Sequence, residues 1–262
     1  MHRLIPLTLL LAHATGFAAG EYKPDFTATA EVSKSLLAKD CPGVVKELNK
    51  GIKSKSPEIL ILAGSLFEEG VCVKPNPEQA AKYYMLADEA KHPRAMHRLI
   101  AMYAKDNRDP ASALWWANKS SDAIPPPCAT APGLANDLDA FVATLNSWPK
   151  GQLAACVYTI GVYSRIMGLA EFPNNAALTG VFGKVKMRFV PAEATVSWTK
   201  EESGKIPVGG VVTAGETERW AFRNTIMKYL DDLSARTLKE YAKPPGIDPR
   251  WIVEAQFIFQ FQ

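Results

Sequence analysis

The side chains that could support catalysis or hold a metal are few in this sequence. Outside the N-terminal segment the histidines are His92 and His97, which are five positions apart. They would not share a helix face as metal ligands at i and i+4 do, and no acidic residue completes a zinc site with them. The glycine patterns of a serine-hydrolase elbow, a P-loop and a dinucleotide site are missing. We therefore expect no metal, no cofactor and no enzymatic activity, and we interpret both histidines as surface or turn residues.

Paired carboxylates are the remaining candidates for acid–base chemistry. The pairs are Glu68-Glu69, Glu201-Glu202 and Asp231-Asp232. Each lies on a predicted helix surface or loop, where a solvated charge is expected. An acid–base pair assembled across the fold stays open as an alternative.

The first twenty residues have the architecture of a secretory signal peptide. An early arginine precedes an apolar run from Leu4 to about Ala19, and Ala18 and Gly20 suit a cleavage site. The run is shorter than the ~20 apolar residues that a membrane-spanning helix needs. We expect cleavage near Gly20, no stable membrane span afterwards, and a location in the periplasm of a Gram-negative bacterium.

Export would place the four cysteines of the chain in an oxidising compartment. They are Cys41, Cys72, Cys128 and Cys156. An even number of cysteines in an oxidising compartment predicts two disulfides, so none is expected to act as a nucleophile. The 262 residues carry a net charge of +3, and no run of lysines and arginines stands out. Nucleic acid is therefore not an expected partner.

Proline spacing predicts helices in the first half of the chain. Pro57, Pro77, Pro93 and Pro110 each stand where a helix can begin, and Ser, Asn or Asp precedes three of them as a potential cap. The intervals alternate between longer and shorter, which fits pairs of helices joined by turns. Further helices are expected upstream, at 28–39 and 42–53, and downstream, at 134–148 and 152–167.

These helices repeat. Leu66-Phe67 aligns with Met102-Tyr103, and Ala81–Tyr84 aligns with Ala113–Trp116, at a period of about 35 residues. Residues 63–104 resemble the Sel-one-like repeat (SLR), a relative of the tetratricopeptide repeat. The resemblance implies stacked helical hairpins and says little about function.

Stacked hairpins predict how the cysteines pair. First helices of successive hairpins run parallel, so their C-terminal ends lie side by side. Cys41 follows one such helix and Cys72 follows the next, which predicts a Cys41–Cys72 disulfide. Cys128–Cys156 follows only by exclusion.

Aromatic residues of the repeats are expected mainly to fill the space between helices. The alternative is that exposed members among Tyr84, Trp115 and Trp116 form a binding surface on the concave face. Trp115 and Trp116 are the better candidates, because two adjacent tryptophans on a helix cannot both face inward.

The pattern changes after Met167. Residues 183–190 alternate apolar and basic side chains, 195–199 continue as a short strand, and 253–261 place Val253, Phe257 and Phe259 on one face. Period two indicates strands of a half-exposed antiparallel sheet. An amphipathic helix predicted within 216–239 would cover it, giving a two-layer domain.

This stretch resembles the C-terminal domain of the TonB family. Phe172-Pro173 followed by Ala176, and Gly183-Lys184-Val185 followed by Phe189, match the opening and first strand of that family. The resemblance implies that a partner segment is bound along a sheet edge by strand addition. The final strand, from Trp251 onward, is the expected edge, with Trp251, Phe257 and Phe259 as contact residues.

The basic face of Lys184, Lys186 and Arg188 is expected to be solvated, with attraction of an acidic partner as the alternative.

Together the patterns predict an α-solenoid followed by a small α+β domain. The expected organisation is a signal peptide at 1–20, helical repeats at 21–168, a linker at 169–180 and a TonB-like domain at 181–262. The expected function is a non-enzymatic adaptor that binds another protein of the cell envelope. Three alternatives stay open. One is an energy transducer anchored by an uncleaved N-terminal helix, which His13 suggests, and another is an inhibitor of a secreted toxin. The third, by analogy with some Sel-one-like proteins, is a peptidoglycan-associated enzyme or enzyme regulator.

Overall fold

The computed structural model describes residues 25, 27–120, 124–206 and 218–259. The predicted signal peptide with His13, and the end of the predicted final strand at Phe261, lie outside these residues. Within the described part of the chain, no helix is both long and apolar enough to cross a bilayer.

The N-terminal region consists of helices. They are α1 (Ala30–Leu37), α2 (Cys41–Lys53), α3 (Pro57–Glu69), α4 (Pro77–Glu89), α5 (Ala95–Ala104), α6 (Pro110–Ser120), α7 (Leu138–Asn146) and α8 (Gln152–Leu169). Three-residue 3₁₀ turns occur at Lys105–Asn107, Pro126–Cys128 and Leu134–Asn136. The predicted pairing is confirmed, since α3 packs on α4 while α5 packs on α6 and α8.

The helix starts follow from capping. The side chains of Ser56 and Asn76 accept hydrogen bonds from backbone amides three residues on, and a proline follows each of them at the first helical position. Asp109 caps α6 in the same way, through the amide of Ser112 at 3.0 Å. Helix α5 begins at Ala95, two residues after the predicted start, because Pro93 and Arg94 remain in the preceding turn.

The C-terminal region is α+β. It comprises α9 (Asn174–Thr179), β1 (Val181–Val190), β2 (Thr195–Lys205), α10 (Glu218–Phe222), a π-helical turn (Arg223–Met227), α11 (Lys228–Glu240) and β3 (Val253–Phe259). The strands form an antiparallel sheet in the order β2-β1-β3. Helices α9, α10 and α11 lie against the face that carries Val185, Met187 and Phe189.

The two regions share one apolar core. A continuous cluster of buried side chains runs from Ile100 and Leu114 in the helices to Phe189 and Val253 in the sheet. The rings of Tyr158 on α8 and Phe189 on β1 lie 6.1 Å apart. The predicted linker contains α9, and the exact domain boundaries stay a prediction.

Both disulfide pairings are confirmed. Cys41 is bonded to Cys72, and Cys128 is bonded to Cys156, with Cα–Cα distances of 4.9 and 5.5 Å. The first bond ties the first residue of α2 to the turn after α3, as the parallel arrangement of first helices predicted. Two disulfides indicate an oxidising compartment outside the cytoplasm.

The histidines are not surface residues, although a surface or turn position was predicted for both. His92 does lie in the turn between α4 and α5, whereas His97 lies within α5. His92 and His97 are 3% and 6% exposed. The turn of Pro93 and Arg94 folds over His92, whose Nδ1 accepts a hydrogen bond from the amide of Arg94 at 3.2 Å. Burial, together with the charge of Arg94, lowers the pKa of His92 to about 4.

We expect this histidine to make stability pH-dependent. Its pKa is about 4 when folded and ~6.5 when unfolded, so between these values the unfolded chain binds more protons and folding weakens as pH falls. Urea unfolding at pH 7 and pH 4.5 should show a smaller loss for His92→Gln than for the wild type, by up to about 2 kcal/mol. Equal losses would contradict the assignment.

We also expect the Cys41–Cys72 bond to contribute strongly to stability. Its removal frees a loop with a sequence separation of 31 residues, which should cost about 3 kcal/mol through the entropy of the unfolded chain. The variant Cys41→Ser/Cys72→Ser tests this by urea unfolding. The variant has no Cys41–Cys72 bond left to reduce, so a reducing agent should lower the free energy of unfolding of the wild type by more than that of the variant. A loss below ~1 kcal/mol on substitution would contradict the prediction.

Candidate protein-binding site

Strand β3 lies at an edge of the sheet. It pairs with β1 along Val253–Phe259, from Val253 opposite Phe189 to Phe259 opposite Gly183. Among the described residues no strand pairs with its other side. Backbone amides and carbonyls on that side are the groups that strand addition uses.

The opposite edge, β2, is protected in ways that β3 is not. Lys200, Glu201, Glu202 and Lys205 crowd the C-terminal half of β2, and the register shifts beside Lys184/Val185 so that Glu201 is an extra residue. Charges and bulges are the devices that prevent unwanted strand pairing. Strand β3 has one charged residue, Glu254, and it is paired with Lys186 at 2.7 Å.

The outward side chains of β3 differ from those predicted. Ile258 is 55% exposed on the face opposite the helices, and Ile252, just before the strand, is 43% exposed. Neither residue was predicted as a contact residue, although the period of two places Ile258 on the polar side of the strand. Phe259 is buried, so its predicted role as a contact residue is wrong. Phe257 is half-buried, with its ring 5.2 Å from that of Trp198.

A shallow groove of about 370 Å³ adjoins the start of β3. One wall is formed by Pro125, Pro126 and Pro127 from the helical region, and the other by Asp248, Arg250, Trp251 and Ile252. The prediction that Trp251 contacts a partner is compatible with this position, because the half-buried indole lines the groove. The proline wall was not predicted.

The tryptophan pair of α6 is half-buried. The rings of Trp115 and Trp116 meet edge to face at 4.6 Å, and Lys119 lies over the ring of Trp115. The indole N–H of Trp115 donates to the carbonyl of Ala135 at 2.7 Å. Both rings pack against the core from the side, so their role as a binding surface stays a prediction.

Tyr84 is fully buried, which corrects its assignment as a possible contact residue. Its ring fills the space beside Gly64, where a Cβ atom would lie 2.3 Å from the ring. Its hydroxyl donates to Glu68 Oε2 at 2.6 Å. Burial, reinforced by the neighbouring Glu68, raises the pKa of Tyr84 above its ordinary value.

Glu68 belongs to a buried ionic cluster, so the expectation that the Glu68-Glu69 pair is solvated is wrong for Glu68, whereas Glu69 is exposed as expected. Arg165 on α8 is at its centre. Its guanidinium lies 3.2 Å from Glu68, 3.1 Å from Glu69 and 2.9 Å from Glu240 at the end of α11. The side chains of Glu68 and Arg165 are only 2% and 9% exposed. Burial alone would lower the pKa of Arg165, but Glu68 and Glu240 more than offset it and raise that pKa.

The outer face of the sheet is less basic than its lysines suggest. Lys184 pairs with Glu202 at 3.1 Å and Lys186 with Glu254 at 2.7 Å. These pairs neutralise most of the face, which favours the solvated interpretation over attraction of an acidic partner. In the described part of the chain no cluster of potential ligands could hold a metal ion.

No family model matches the chain, and no characterised protein or solved structure is significantly similar to it. The SLR and TonB resemblances therefore remain predictions that rest on short motifs.

We expect Arg165 to be needed for folding stability. Arg165→Met leaves the buried Glu68 without its cation, which should cost about 3–5 kcal/mol in the free energy of unfolding. The control is Lys228→Met, which breaks an ion pair whose side chains are 64% and 60% exposed and should cost less than ~1 kcal/mol. Similar losses in the two variants would show that the cluster contributes no more than a surface pair.

Proposed function

We propose that this protein is an exported, non-enzymatic adaptor that binds an extended segment of another cell-envelope protein along β3. Its compartment would be the periplasm, in keeping with the predicted signal peptide and the two disulfides. The SLR and TonB resemblances point in the same direction.

One observation carries the proposal: the two edges of the sheet differ in protection. Natural proteins shield edge strands that must not pair, with charges, bulges or covering elements. Strand β2 has a bulge and a run of charges, whereas β3 has an exposed isoleucine and a single neutralised carboxylate. The edge that is left open is the one suited to receive a partner strand.

The helical region would serve as the support for this edge. It shares its core with the sheet, and the Arg165 cluster fixes α11 to it. A rigid support lowers the entropic cost of binding, since less of the protein has to be ordered when the partner arrives. A second contact surface around Trp115 and Trp116 is compatible with their partial exposure.

Site-specific photocrosslinking in living cells tests the proposal. Gln256 on β3 and Thr199 on β2 are both exposed and both lie beside Lys186, one on each edge of the sheet. A photoreactive residue at Gln256 should give a discrete crosslinked protein, and the same residue at Thr199 should not. Crosslinks of equal yield from both positions, or from neither, would contradict binding at β3.

A further inference from the structure

The groove beside Trp251 continues the open edge of β3. Ile252 lines the groove and directly precedes Val253, where the strand begins. A segment added along β3 therefore reaches the groove once it extends beyond Val253, the first residue of the strand. Because all pairings in this sheet are antiparallel, a segment that continues the pattern runs opposite to β3 and arrives at the groove with its C-terminal part.

The proline wall of the groove is held rigidly. Pro126 and Pro127 belong to a 3₁₀ turn that ends at Cys128, which is bonded to Cys156 on α8. The side-chain amide of Gln152 donates to the carbonyl of Pro127 at 2.6 Å. Proline also fixes its own backbone φ. This wall is thus ordered before any partner binds.

The charged residues of the opposite wall, Asp248 and Arg250, form an ion pair with each other. The Arg250 Nε lies 3.0 Å from both carboxylate oxygens of Asp248, and the amide of Trp251 donates to the carbonyl of Asp248 at 3.0 Å. The two charges neutralise each other, which leaves the prolines, Trp251 and Ile252 to determine what the groove accepts. Its volume of about 370 Å³ is above the ~300 Å³ at which pockets begin to enclose small ligands.

The outer face of β3 favours an apolar contact at one end of the added segment. Glu254 is paired with Lys186 at 2.7 Å, so its charge does not select the residue that lies opposite it. Ile258 is 55% exposed at the other end of the same face and favours an apolar neighbour.

We propose that the groove between Pro125–Pro127 and Trp251 binds an uncharged, bulky apolar residue placed just C-terminal to the β-adding segment of the partner. The partner is thus a protein with an extended segment that ends in an aromatic or large aliphatic anchor. This inference rests on the proposed function, and it assigns selectivity to a site that both regions of the chain build together.

A phage-displayed library of random twelve-residue peptides, selected on the intact disulfide-bonded protein, provides the test. Recovered peptides should share a bulky apolar residue near the C-terminal end of an extended segment. A synthetic peptide of the recovered sequence should suppress crosslinking from Gln256. Replacing its anchor by Ser should weaken binding on the order of tenfold or more.

Protein variants give the matched comparison. Trp251→Ala and Ile252→Ser should each weaken the anchored peptide several-fold and leave the Ser-anchor peptide unaffected. The control is Trp220→Ala, which removes another exposed tryptophan, on α10, and should change neither affinity. Unfolding curves for all three variants separate lost binding from lost folding.

The outcomes distinguish the two proposals. In one outcome, the peptides suppress crosslinking at Gln256 but show no preference for an anchor residue, and the variants Trp251→Ala and Ile252→Ser bind them as tightly as the wild type does. This outcome would contradict the proposed groove site but not the proposed strand addition. Failure to recover any peptide, together with no crosslink at Gln256, would overturn both.

Discussion

The guanidinium of Arg165 is the interaction on which the arrangement of this protein depends. It contacts carboxylates from two distant parts of the sequence, Glu68 and Glu69 at the end of α3 and Glu240 at the end of α11. Desolvating these charges is costly, and the cost is offset only when the geometry of all partners is satisfied together. The cluster therefore disfavours any other placement of α11 on the helical region.

This constraint extends to the candidate site. Tyr241 follows Glu240 and donates its hydroxyl hydrogen bond to the carbonyl of Ala101 on α5 at 2.9 Å. The chain then crosses the surface to the turn at Asp248 and to Trp251, opposite the proline wall. Fixing the end of α11 thus fixes where this connection starts. The groove has one wall from each region, so its shape depends on a docking that ionic contacts and a shared apolar core maintain together.

The sheet shows how charge placement distinguishes two edges of equal topology. Within the described part of the chain, both β2 and β3 pair with β1 alone, so topology does not favour either of them. The bulge at Glu201 and the surrounding charges work against pairing at β2. On β3 the carboxylate of Glu254 is neutralised by a lysine of the neighbouring strand, which lowers the electrostatic obstacle to a further strand. These few side chains make the two edges chemically different, and the proposed binding at β3 depends on that difference.

The sequence by itself determined three of the four helix starts marked by proline, the hairpin pairing, the Cys41–Cys72 bond and the strand–strand–helix–strand order. Proline capping and periodicities of 3.6 and 2 act between near neighbours and are visible in the chain. Only the tertiary structure decided which polar residues are buried and which apolar ones are exposed. Glu68 has the composition of a surface residue, yet it is buried because Arg165, distant in sequence, supplies its counter-charge. In the same way, Pro125–Pro127 become part of a site only because folding brings Trp251 opposite them.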